Sequence, residues 1–236
     1  MSAIFKREFK TYFTSPIGYV VLAMMFGLSG YYFFMYNLAN GYADLSYVFS
    51  SVLSFLMLLV LPVLTMRLMS DDKRQKTDQA LLTAPVSLTG IVLGKFFAAV
   101  LLFTIGISIM LVFAVIIATQ ITPDWLVILG NFIGLLLLGS MIIAIGLLIS
   151  CLTESQFVAA LGTFLASFAL LMLDSVSSML SNSKIAVAVL DFLSVSQRYA
   201  NFTSGLMQYD DIIFFVSMTA LFLFFTVRIL ERKRWN

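Results

Sequence analysis

Long apolar runs separated by short polar breaks dominate the chain. Six of them reach the roughly 18 residues or more that a helix needs to cross a hydrocarbon core of about 30 Å. Their expected bounds are about 17–38, 47–69, 91–119, 125–151, 156–174 and 212–230. Ahead of the first run, Ile4, Phe5, Phe9, Tyr12 and Phe13 recur at helical spacing, with Lys6, Arg7, Glu8 and Lys10 on the other side. Such a stretch is suited to lying in the headgroup layer. Ser15-Pro16 ends it, since Ser can cap a helix and Pro suits the first position of the next. The pattern therefore predicts an all-α integral membrane protein: an amphipathic helix over 1–14, then a six-helix transmembrane domain over 15–236.

Two connections are long. Residues 70–90 are polar, whereas roughly 175–211 stay rich in Ile, Val, Leu and Phe. Within the second, Ile185–Leu190 is too short to span but suits a short re-entrant helix, because irregular backbone at membrane depth is tolerated where protein buries it. Of the 14 Lys and Arg residues, all but Lys184 and Arg198 fall at the termini or between the second and third spans. Short cytoplasmic loops carry that excess, so both termini are expected in the cytoplasm. The apolar run after Lys6, Arg7 and Lys10 is too long for the core of a cleaved signal, so the N-terminus is expected to remain in the mature protein.

Composition narrows the function. Hydrophobic residues make up 61% and charged residues 11% of the chain, against about 45–50% and 25% in soluble domains. There is no histidine and one cysteine, Cys151, which removes disulfide frameworks and zinc or haem sites built from these ligands. A net charge of +2, dispersed between spans, gives no basis for nucleic-acid binding. Gly90-Ile91-Val92-Leu93-Gly94-Lys95 imitates a phosphate-binding loop, but it is one residue short between the glycines and has Phe96 where Ser or Thr must meet magnesium. Lys95 reads instead as an interfacial anchor, its stem in lipid and its ammonium among the headgroups.

No span carries a charge near its middle, as a proton relay or an ATP-independent secondary transporter would require. Asp174 falls at the outer interface by helical rise, and nothing resembles the paired aspartates or Ser-and-base set of an intramembrane protease. Tyr31, Tyr32, Phe33, Phe34 and Tyr36 crowd the outer end of the first span, either as interfacial anchors or as a slide for a lipid or sugar. Gly130 and Gly134 form a small-xxx-small pair for close helix packing, within one chain or between two. In the second-to-third connection, Thr77 can cap a short helix with Asp78 in its first turn and Pro85 can stop it. That leaves Leu81 and Leu82 to be covered, by the membrane surface or by a cytosolic partner.

Three stretches carry a resemblance. They are L-L-T-A-P-V-S (81–87) followed by I-V-L-G-K-F (91–96), G-L-L-I-S-C-L-T-E-S-Q (146–156), and S-V-S-Q-R-Y-A-N-F-T-S-G-L (194–206) with Asp210 and Asp211 beyond it. In order and spacing the chain resembles the ABC-2 type permeases, specifically the six-span subunits of gliding-motility and nitrous-oxide-reductase-maturation systems. It departs from them in carrying D-D-K-R-Q-K-T-D-Q where relatives often have a Glu- and Arg-rich run containing Gly-Thr.

The resemblance implies a permease dimer, homo- or heteromeric, in a bacterial plasma (inner) membrane, bound to a cytosolic ABC ATPase that holds the ATP and magnesium. It leaves room for an extracytoplasmic accessory subunit, and this chain would carry no cofactor and no catalysis. Residues 71–87 would be the coupling helix, with Asp71, Asp72, Arg74, Thr77, Asp78, Leu81, Leu82 and Pro85 meeting the ATPase and Glu154 in the 146–156 turn adding a smaller contact. The N-terminal stretch, with Phe5, Arg7, Phe9 and Tyr12, would be a connecting helix. Short re-entrant helices near 184–208 would close the outer end. A membrane scaffold that relays ATPase motion to an extracytoplasmic partner fits the same sequence as well as an exporter does.

Overall fold

The first helix, α1 (Ser2–Thr14), stops at Ser15, whose extended backbone (φ −101°, ψ 152°) leads into Pro16 at the start of α2 (Pro16–Phe33). Ser15 makes no side-chain cap hydrogen bond. The fixed φ of Pro16 and its missing N–H form the corner instead. This computed structural model describes residues 1–42, 44–76, 87–119, 122–179, 193–205 and 208–235. The sequence readings at Thr77, Asp78, Leu81, Leu82, Pro85, Lys184 and Ile185–Leu190 lie outside those residues, as does the side chain of Asp174.

A π-helical turn, Phe34–Leu38, continues α2. The second span comprises α3 (Ser46–Phe55), a π-helical turn at Leu56–Val60 and α4 (Leu61–Thr65). Pro62 accounts for that wider turn, because it has no N–H to give the preceding turn and its ring crowds the carbonyl there. After a tight turn over 66–69 the backbone coils once more as α5 (Ser70–Arg74), so helical structure reaches beyond the expected end at 69.

The third span is α6 (Leu88–Ile107) and α7 (Ile109–Ala118), which meet at Ser108. Then follow α8 (Trp125–Leu152), α9 (Gln156–Met179), the short α10 (Val195–Thr203) and α11 (Tyr209–Trp235). Among the described residues, polar caps start helices where the chain leaves a loop: Ser87 accepts from Gly90 N–H, Asp124 from Leu126 and Val127 N–H, Ser155 from Val158 N–H, and Ser194 from Gln197 N–H.

Among the described residues, six stretches are long and apolar enough to cross a membrane: Pro16–Leu38, Ser46–Arg74, Leu88–Ala118, Trp125–Leu152, Gln156–Leu173 and Tyr209–Arg232. Among the described residues there is no strand. The all-α, six-span expectation therefore holds.

The centre of the bundle is α8, which packs against α4, α6, α9, α10 and α11. It is apolar on all sides, as suits a membrane helix whose span is 61% buried in the bundle and exposed over the rest. Its Gly134 lies under the Phe202 ring of α10, where an added Cβ would stand 2.8 Å from the ring. The buried Gly130–Gly134 face thus packs inside one chain. By contrast the fifth span is only 17% buried and the first and last 28% each, so their apolar surfaces face whatever surrounds the bundle.

The aromatic group at the end of α2 divides. Phe33 is buried and stacks on Phe113 at 4.3 Å, which makes it core. Tyr31 and Phe34 are exposed, and Tyr32, Tyr36 and Tyr47 stack in sequence at 6.0 and 6.2 Å.

Candidate functional site

Among the described residues, two buried polar clusters sit at opposite ends of the bundle. The larger is at the end that carries α1 and α5. Along α1, Ile4, Glu8 and Tyr12 are spaced four apart and so share one face, where Ile4 and Tyr12 are buried and the Glu8 side chain is 13% exposed. Glu8 therefore belongs to the face turned toward the bundle and not with Lys6 on the solvent side. Beside it, Phe5, Phe9 and Phe13 form a ladder, with ring centroids at 6.0 and 5.1 Å, that ends against Tyr19 of α2. Ile4 is seated on Gly94 of α6, where a Cβ would come within 3.0 Å of its side chain.

Lys95 differs most from the sequence reading. Its ammonium is not among headgroups; the residue is 1% exposed and lies between two carboxylates, 2.7 Å from Asp72 Oδ2 and 3.0 Å from Glu8 Oε1. Arg7 lies across the same pair, 2.6 Å from Glu8 Oε1 and 3.9 Å from Asp72 Oδ1. Its hydrogen bond to Glu8 raises the Arg7 pKa further, with the charges of Glu8 and Asp72 adding to the effect. Burial pushes the Tyr12 phenol well up, which keeps it neutral. The Gly90–Lys95 run is wound into α6 and its ammonium is engaged by Glu8 and Asp72, so it forms no phosphate cradle.

On its other side α5 is tied to the α8–α9 turn. The Ser150 hydroxyl accepts from the backbone N–H groups of both Met69 and Ser70 at 3.0 Å, and it donates to the Met66 carbonyl at 3.3 Å. The Lys73 ammonium donates to the Cys151 carbonyl. Asp71 holds Arg67 at 2.8 Å and accepts from Gln156 of α9 at 2.8 Å. A cavity of about 240 Å³ lies beside this cluster, lined by Arg7, Glu8, Tyr12, Arg67, Asp72 and Lys95 among others.

These contacts sort the expected site residues. Arg7, Tyr12, Asp71 and Asp72 are brought together, and Phe5 and Phe9 flank them. Arg74 and Glu154 are exposed on the same end. Asp71 and Asp72, at 22% and 19% side-chain exposure, brace the fold from within. Sequence reasoning did not find Glu8, Lys95, Ser150 or Gln156. The available signals were Glu8 in register with Ile4 and Tyr12, and Lys95 lying inside an apolar run.

Ser150→Ala is expected to lower stability by about 1–3 kcal/mol, because it strands buried backbone donors in a water-poor place. Thermal melting of the detergent-solubilised protein reads this directly. An unchanged midpoint would mean that those two N–H groups find another acceptor.

The second cluster is smaller. Asp211, at the start of α11, accepts from Arg198 and from Asn201 of α10, each at 2.8 Å. The Arg198 guanidinium lies 4.2 Å over the Phe214 ring. Tyr199 donates to Asn131 Oδ1 of α8 at 3.3 Å, and burial raises its phenol pKa strongly.

A family model described as ABC-2 family transporter protein matches residues 9–173, which takes in the end of α1 from Phe9 onward, all of α5 and the α8–α9 turn. A comparison with curated proteins finds no match.

Proposed function

As this chain belongs to the ABC-2 transporter family, and is thus a multi-pass membrane component of an ABC-type transporter, we propose that it is the permease subunit of an exporter powered by a separate ATPase. ATP and magnesium belong to that partner, and a second permease copy completes the pathway. The end bearing α1 and α5 faces the cytoplasm, a reading supported by the crowding of Lys and Arg there.

The observation that carries the proposal is the polar end itself. One short helix, α5, is tied to α1 and α6 through Asp72 and Lys95, and to α8 and α9 through Ser150 and Gln156. In the chain, 77–87 follows directly on this braced helix, which suits a coupling element. With Asp71 and Asp72 engaged inside the chain, the polar contacts to the ATPase fall to Arg74, Asp78 and Glu154, around apolar anchors at Leu81 and Leu82. ATPase closure would act on α5 and shift the permease between inward-open and outward-open populations.

Co-expression with a candidate ABC ATPase and reconstitution in vesicles tests this. Hydrolysis is expected only in the complex, and an impermeant thiol reagent should reach a cysteine placed at Lys10 only after the cells are permeabilised. Nucleotide hydrolysis by the isolated chain, or labelling of that cysteine in intact cells, would overturn the reading.

A further inference from the structure

We propose that Lys95 is a positioning residue that makes α1, α5 and the start of α6 one rigid body, so that a push on α5 moves the N-terminal helix and the third span together. The inference rests on the coupling reading for its use, but its geometry belongs to this chain alone. The two carboxylates on Lys95 come from different elements, Glu8 from α1 and Asp72 from α5, while Lys95 itself belongs to α6. At 1% exposure Lys95 has little solvent to replace either partner. Moving α1 or α5 away from α6 would leave buried charge uncompensated, which is far costlier than stretching an exposed pair.

Packing acts in the same direction, since Ile4 is fitted against Gly94, one residue before the lysine. Covalent structure supplies no such link, because α1 and α5 are separated along the chain by the first two spans. The ties from α5 to the α8–α9 turn are different in kind. On the α8–α9 side they use a hydroxyl, a backbone carbonyl and a side-chain amide, which meet backbone N–H groups, the Lys73 ammonium and the Asp71 carboxylate through hydrogen bonds and not ion pairs.

Removing only the lysine would take away the buried cation that Glu8 and Asp72 share and confound folding with function. The informative variant is therefore Glu8→Gln/Asp72→Asn/Lys95→Met, which removes the three charges together and is tolerated far better than a single deletion from a buried pair. Spin labels go on cysteines placed at Lys10 and Arg74, both exposed, in the full chain in lipid nanodiscs. Pulsed electron resonance then reads the distance between them.

The wild type should give one narrow distribution. The triple variant, with an unchanged helical spectrum, should broaden it about twofold as α1 and α5 lose their common anchor. A distribution as narrow as the wild type would overturn the proposal, whatever the ATPase does. In the reconstituted complex the same variant should retain the ATPase but lose about tenfold of the permease-dependent hydrolysis. Full hydrolysis with a broadened distance would overturn the positioning role. If the wild-type chain itself binds no ATPase, the coupling reading fails while the distance measurement still decides the rigid body.

Discussion

Replacing Leu81 and Leu82 together by Asp is expected to strip the ATPase from the permease while leaving the spans inserted. Burying one leucine contributes about 1.5–3 kcal/mol, so losing two removes about 3–6 kcal/mol before the cost of desolvating two new carboxylates is counted. A partner held at micromolar affinity, about 8 kcal/mol, would then fall to roughly 0.1 mM or weaker. Small interfaces concentrate their energy in such apolar anchors within a polar rim, so neighbouring charges cannot make up the loss. Co-purification of the ATPase with the double variant, alongside a check of membrane insertion, measures the effect. Normal insertion with wild-type stoichiometry and coupled hydrolysis would assign 77–87 to the membrane surface instead.

The second large effect is expected at the opposite end. Asp211 is 2% exposed and is the common acceptor for Arg198 and Asn201. Asp211→Ala removes the carboxylate paired with the Arg198 guanidinium, and breaking a buried pair from one side costs about 3–5 kcal/mol. That is a large share of a total stability of about 5–15 kcal/mol. The comparison within the same helix is Arg228–Glu231, also 2.8 Å apart but 61% and 38% exposed at its side chains. Glu231→Ala should therefore cost less than about 1 kcal/mol. Thermal melting of the two variants in one detergent decides the point. Equal shifts would mean that water reaches Asp211 and that α10 is held by the Phe202–Gly134 contact instead.

The spans were legible because membrane burial demands long apolar runs, and no tertiary contact is needed to recognise them. Caps and corners were partly legible: Pro16 starts its helix as expected, but Ser15 makes no cap bond. Lys95 was misread for a physical reason. A lysine near the end of an apolar helix ordinarily extends to the headgroups, and only partners far away in sequence make burial cheaper. Glu8 and Asp72 are such partners, brought to α6 by two separate chain reversals. Asp71 and Asp72 were placed toward the ATPase by the resemblance alone, and nothing local in the sequence shows that Arg67, Gln156 and Lys95 engage their carboxylates. Ser150 gave no signal at all. A lone serine in an apolar helix is common, and its role depends on the turn over 66–69 presenting two N–H groups to it.

The wide turn at Leu56–Val60 acts as an angular index for everything that follows it in the second span. A regular helix advances about 100° per residue, so one residue more or fewer in that turn would rotate α4, and with it α5, by nearly a third of a revolution. At the setting observed, Asp72 points to Lys95, Asp71 to Gln156, and the N–H groups of Met69 and Ser70 to Ser150. A register one residue away would turn all three away from their partners at once. Pro62 thus does more than bend a helix, because it fixes the clock position at which the polar end of the protein is assembled.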